Sequence, residues 1–105
     1  MIRNRAASTE MSALADQLKE QFARSQQNLI DFLRVDLELA FTILSTAKIE
    51  KEAGNLEHMR ASLKTAREAL SSIRKFAGRV QDRTALSKIN ARTKELEAAL
   101  SSFER

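Results

Sequence analysis

Acid–base and metal chemistry have few candidate side chains in this 105-residue sequence, which holds one histidine, His58, no cysteine, and fourteen carboxylates spread along the chain. A lone imidazole works as a catalyst or ligand only when a second group holds it in place. His58 stands beside Asn55, in a stretch that reads as a turn, and a surface or capping role fits it better than catalysis. Glu50 with Glu57, and Asp31 with Glu38, fall at helical spacing and superficially resemble the carboxylate pairs of metal-binding bundles. Those sites add a Glu-x-x-His pattern, which is missing here. Without cysteine there is no thiolate zinc site, disulfide or cysteine nucleophile. No base can be paired with Ser71-Ser72 or Ser101-Ser102, which read as small polar positions on helix surfaces. Two isolated glycines, Gly54 and Gly78, cannot build a phosphate-cradling loop. The expectation is a chain that is not an enzyme and has no cofactor and no metal.

Charge is the more informative feature. Residues 10–57 hold nine acids against five bases, whereas residues 58–94 hold ten bases against Glu68 and Asp82, and the whole chain is at +4. Arg60, Lys64, Arg67 and Arg74 recur at helical spacing, with Lys75 beside them, and form a basic ridge next to an apolar stripe. A basic helix folded against an acidic one gives interhelical ion pairs, each worth at most about 1 kcal/mol when exposed. The functional alternative is that the ridge meets an acidic partner or phosphates. Nucleic acid is the less favoured of these partners, because Tyr and Trp are absent and the five Phe mostly align with apolar faces. Attraction to a membrane surface is not expected, since the apolar face of the basic helix is needed for its own core.

The elements that must carry these residues are helices. There is no proline and only two glycines, so the usual breakers are missing from nearly the whole length. Ser8 and Thr9 before Glu10 suit a helix start, with residues 1–8 frayed. A stripe with steps of three or four runs from Ala15 through Leu18, Phe22, Leu29, Leu33 and Leu37 to Ala47. Gly54 then suits a left-handed helix end and Asn55 a new start. A second stripe, Leu56 to Ala77, stops at Gly78 after Arg74 and Lys75, cations suited to a helix C-terminus. A third runs from Leu86 to Phe103 behind a cap at Asp82 or Thr84. Short connections fold consecutive helices back on one another, so the fold class is an all-α antiparallel bundle of three to four helices. It forms a single domain over 9–105, with a core unit at about residues 36–104.

Residues 10–53 leave two arrangements open. Unbroken, they make a helix roughly 65 Å long at about 1.5 Å per residue. The two later helices are about half as long, so Leu14, Leu18, Phe22 and Leu29 would be exposed unless another chain covered them. That arrangement predicts a homodimer. A break in Arg24-Ser25-Gln26-Gln27-Asn28, with Asn28 as the cap, would instead give a compact four-helix monomer.

From Ala40 to Leu70 the pattern resembles a single helical hairpin of the tetratricopeptide or microtubule-interacting-and-trafficking type. Ala47 stands at the close crossing, Gly54-Asn55-Leu56 makes the turn, and Leu63 and Ala66 fill the interior positions. Met59 replaces the alanine usual there, no proline closes the unit, and no second copy follows at a 34-residue period. The resemblance implies a module that binds a partner helix or peptide in a groove between helices. The segments 36–41 and 73–76 also have the look of small bacterial helical proteins, a likeness that implies no activity. No continuous apolar run follows the basic N-terminus as in a secretory signal, and none approaches the roughly 18 residues that span a bilayer, so a cytoplasmic location is expected. The functional expectation is a non-enzymatic protein-interaction or self-association module. Nucleic-acid binding by the basic ridge of residues 60–79 is the alternative.

Overall fold

The computed structural model describes residues 2–104, with side chains from residue 12 onward. Three helices make up the described residues: α1 (Ile2–Glu52), α2 (Leu56–Ala77) and α3 (Arg83–Phe103). Helix α1 already runs through residues 2–8, so the stretch expected to be frayed is helical and the helix does not begin at a Ser8 or Thr9 cap, since neither proline nor glycine breaks that run. Helix α1 runs without a break, so the four-helix alternative is not realised. Asn28 caps nothing, and Gln27 turns its amide to the Asp31 carboxylate one helical turn on, at 2.9 Å.

The first junction forms where glycine allows it. Gly54 takes φ +78°. The Asn55 N–H returns to the Glu50 carbonyl at 2.8 Å and the Gly54 N–H to the Lys51 carbonyl at 3.1 Å, satisfying carbonyls that the end of α1 leaves free. A Cβ at Gly54 would meet no atom within 4 Å, so backbone conformation alone sets the cost of adding one. Gly54→Ala should therefore lower the unfolding free energy by about 1–2 kcal/mol, read as a fall in the urea midpoint at unchanged slope.

The second junction works differently. Gly78 keeps a right-handed φ of −62°. The chain turns instead through tight bonds from Arg79 N–H to Phe76 O (3.0 Å) and Val80 N–H to Ala77 O (3.1 Å). Val80 is buried as a plug at that end of the bundle. Of the two candidate caps for α3, Asp82 is the one used: its carboxylate accepts the Ala85 N–H at 3.0 Å.

The core lies between α1 and the α2–α3 hairpin. Leu33, Leu37, Ile73, Ile89 and Leu96 are its fully buried large side chains. Ala40, Ala47 and Ala66 are also wholly buried, and their small size lets helices approach closely. Among the described residues Thr93 is the buried polar one, and its hydroxyl donates to the Ile89 carbonyl at 2.7 Å. Packing starts earlier than residue 36, since Ile30 and Leu33 are core. Leu56, expected inside, is 47% exposed.

On α1 the buried positions are Ile30, Leu33, Leu37, Ala40, Leu44 and Ala47, a heptad-like alternation of threes and fours. One residue further back in that alternation, Gln26 marks the top of the bundle. Its amide donates to the Arg79 carbonyl at 3.1 Å and its carbonyl accepts the Gln81 N–H at 3.0 Å, pinning the α2–α3 loop to α1. Beyond it, every described residue from Ser12 to Ser25 is exposed. The molecule measures 79 × 22 × 15 Å with a radius of gyration of 21.1 Å, against about 13 Å for a compact chain of this length. An unsupported helix projects from a three-helix bundle.

Candidate functional site

The residues chosen for chemistry do not converge. Glu50 and His58 approach to 4.0 Å across the α1–α2 turn. The hydroxyl nearest them, Ser62, donates to Glu50 Oε1 at 2.6 Å. A serine spending its proton on a carboxylate, with the imidazole on the far oxygen, is not arranged as a nucleophile with its base. His58 is 72% exposed at its side chain, and its backbone N–H is the group that Asn55 caps, at 3.4 Å. Glu57 is exposed. The other carboxylate pair is used separately, Asp31 by Gln27 and Glu38 by Arg92. Among the described residues, no three His, Asp or Glu side chains are grouped to hold a metal ion.

The basic ridge is exposed along α2, but two of its three arginines are engaged. Arg67 pairs with Glu104, and Arg74 with Glu97 at 2.9 Å. The acids that neutralise α2 thus come from the C-terminal half of α3 and from its C-cap, Glu104, not from the acidic α1 that the sequence pointed to. Glu95, Glu97 and Glu104 lie beyond the basic segment, and the antiparallel hairpin carries the last two back along α2. Lys75 and Arg79 lie over the Phe76 ring, 5.8 and 4.8 Å from its centroid. Among the described residues, Arg60 and Lys64 make no ion pair.

Helix α1 is tied to α3 by a different cation. The Arg92 guanidinium stacks on Phe41 at 3.8 Å and bonds Glu38 at 3.0 Å and Glu95 at 2.5 Å. The hydrogen bonds it donates to Glu38, then to Glu95, hold it charged even more firmly than usual.

The larger unpartnered surface is apolar. Leu14, Leu18, Phe22, Phe32, Val35, Leu39 and Ile49 of α1 are each at least half exposed. Single exposed leucines are ordinary, but a file of large side chains along one helix is not. Of the four residues expected to self-associate, Leu14, Leu18 and Phe22 stand on the projecting part at 58%, 65% and 52% exposure. Leu29 lies lower and is half-buried against the edge of the core. Sequence reasoning missed the continuation of this file onto the flank of the bundle. There Phe32 meets Phe76 edge-on at 6.3 Å between centroids, and Leu39 stays open.

Within the file sits Asp36, half-buried, its carboxyl raised above the ordinary carboxylate range by desolvation. A folded pKa above the unfolded one means the folded chain binds the extra proton, so stability is diminished at neutral pH and recovers as pH falls through the raised value. Asp36→Asn should therefore raise the urea midpoint at pH 7 more than at pH 4. It should also flatten that part of the pH–stability curve.

Comparison with models of protein families, with curated proteins and with solved structures finds no match to the chain in any of the three. No helix among the described residues is long and apolar enough to cross a membrane.

Proposed function

We propose that the protein is a non-enzymatic interaction module that works by self-association through α1. The observation that carries this reading is the projecting helix itself: Leu14, Leu18 and Phe22 stand in water on a segment that buries nothing within its own chain. A helix without tertiary packing is marginal in water, because amphipathic burial supplies most helical stability. Ala, Leu, Gln and Glu favour the helix here, but Ser12, Asp16 and Ser25 do not. A second chain over the apolar face would supply the missing packing.

Contact of Arg60, Lys64, Arg67, Arg74 and Lys75 with phosphates is the weaker reading, since Arg67 and Arg74 already meet carboxylates. Light scattering on the full chain is the test. The reading expects twice the 11.8 kDa chain mass at micromolar concentration, falling to the monomer value in Phe22→Asp. A wild-type chain that stays monomeric at high micromolar concentration overturns it.

A further inference from the structure

We infer that two copies pair antiparallel along α1, so that the projecting segment of each chain completes the other's bundle as a fourth helix. The inference rests on the self-association reading and specifies its geometry. Alongside the buried alternation, α1 carries a second one displaced by one residue, or about 100° around the helix. It comprises Ala15, Leu18, Phe22, Ser25, Leu29, Phe32, Asp36, Leu39 and Ile43. Steps of three and four alternate strictly, as in a coiled-coil seam. Seven of these nine positions are apolar, the exceptions being Ser25 and Asp36. The seam passes without interruption from the projecting segment onto the side of the bundle.

Those two polar positions select the partner and its direction. In a parallel, in-register pair, Asp36 would face Asp36, two carboxylates in a desolvated layer, where like charges repel most strongly. An antiparallel pair can instead set Ser25 opposite Asp36, giving the carboxylate a hydroxyl donor. The same register sets Leu18 against Ile43, Phe22 against Leu39 and Leu29 against Phe32, each pair occurring twice about a two-fold axis. Sliding one heptad either way puts Asp36 against Leu18 or Phe32.

The register chosen by polar matching also overlaps the seam along its length, with Ala15 of each copy meeting Thr46 of the other just past the seam's end, so residues 15–46 pair over about 48 Å at about 1.5 Å per residue. Two independent requirements, polar pairing and full coverage, meet in one arrangement. A second copy of this chain satisfies both because it brings the same seam reversed.

The α2 edge beside the seam is marked by Ser62, which bonds Glu50 at 2.6 Å, and by Phe76 against Phe32. Between them at heptad spacing stands Ala69. Small side chains over most of that edge permit close approach, and Phe76 closes the groove where the two-fold axis would pass. Each partner segment would lie in the groove between α1 and α2, completing a four-helix bundle.

The chain has no cysteine, so introduced thiols report pairing directly. Leu18→Cys and Ile43→Cys are made separately and oxidised mildly, alone and as an equimolar mixture of the full-length chains. The expected result is a disulfide dimer in the mixture and little in either variant alone. Self-linking by Leu18→Cys would show parallel pairing. A dimer by mass that links in none of the three samples would show another register. Either overturns the inference while leaving self-association standing, whereas a monomer by mass overturns both. A second variant, Ser25→Lys, should tighten the dimer several-fold by placing an ammonium opposite Asp36. In a parallel pair it would set two lysines face to face, and weakened association would likewise overturn the inference.

Discussion

Leu37→Ala should remove about 2–5 kcal/mol of folding free energy, the range for truncating a buried leucine whose surroundings cannot fully collapse. Leu37 is 2% exposed and lies midway along the buried face of α1, with Leu33 and Ala40, both wholly buried, within one turn on either side. Its loss would leave a void inside the core rather than at its exposed edge. Against a domain stability of about 5–15 kcal/mol the change is large. In urea denaturation the midpoint should fall sharply at constant slope. Leu18→Ala, the same change nineteen residues earlier on the same helix, is the control. Its side chain is 65% exposed, so below the dimerisation concentration it should move the midpoint little. Equal effects at the two positions would mean that the projecting segment packs against its own chain.

The turns were legible because single residues decide them. Only Gly54 can take φ +78° without strain, and the Asn55 and Asp82 side chains cap the helices that follow. Both hairpin helices were legible too, since α2 and α3 each bury one face: Leu63, Ala66, Leu70 and Ile73 in one, Ile89, Thr93, Leu96 and Leu100 in the other. Helix α1 was harder because it carries two apolar alternations one residue apart. A path with steps of three and four can leave one for the other, and the path Phe22, Leu29, Leu33, Leu37 does so between Leu29 and Leu33. It thereby joins an exposed face to a buried one and passes over Ile30, which is core. Spacing alone does not show the crossing, because both faces obey it. Gln26 was misread for a related reason. A polar cluster of Arg24, Ser25, Gln26, Gln27 and Asn28 looks like a break, yet a glutamine amide has both a donor and an acceptor to offer a passing loop, and Gln26 uses both. The destination of the α2 arginines was equally hidden, since their partners, Glu97 and the α3 C-cap Glu104, lie outside any local charge block.

Phe22→Asp is the variant expected to affect association most. In the antiparallel arrangement Phe22 faces Leu39 of the second copy, and the two-fold axis repeats that layer, so one substitution alters the interface twice. Fully burying a phenylalanine contributes about 1.5–3 kcal/mol relative to leaving it in water. A carboxylate in its place also faces an apolar layer in which nothing bonds it. Even at about 2.5 kcal/mol per layer, two layers weaken the dimer by about 5 kcal/mol, or between a thousand- and ten-thousand-fold in Kd at about 1.4 kcal/mol per decade. The bundle's own fold should be untouched, because Phe22 lies on the far side of Gln26 from the core and is 52% exposed in the isolated chain. The two consequences separate in thermal unfolding. Wild-type Tm should rise with protein concentration, as it does whenever folding is linked to association, and the rise should vanish in Phe22→Asp. Leu39→Asp, on the other half of the same layer and 52% exposed on the flank of the bundle, should give the same loss of association. A large effect at Phe22 with none at Leu39 would confine the interface to the projecting segments and remove the fourth helix from each bundle.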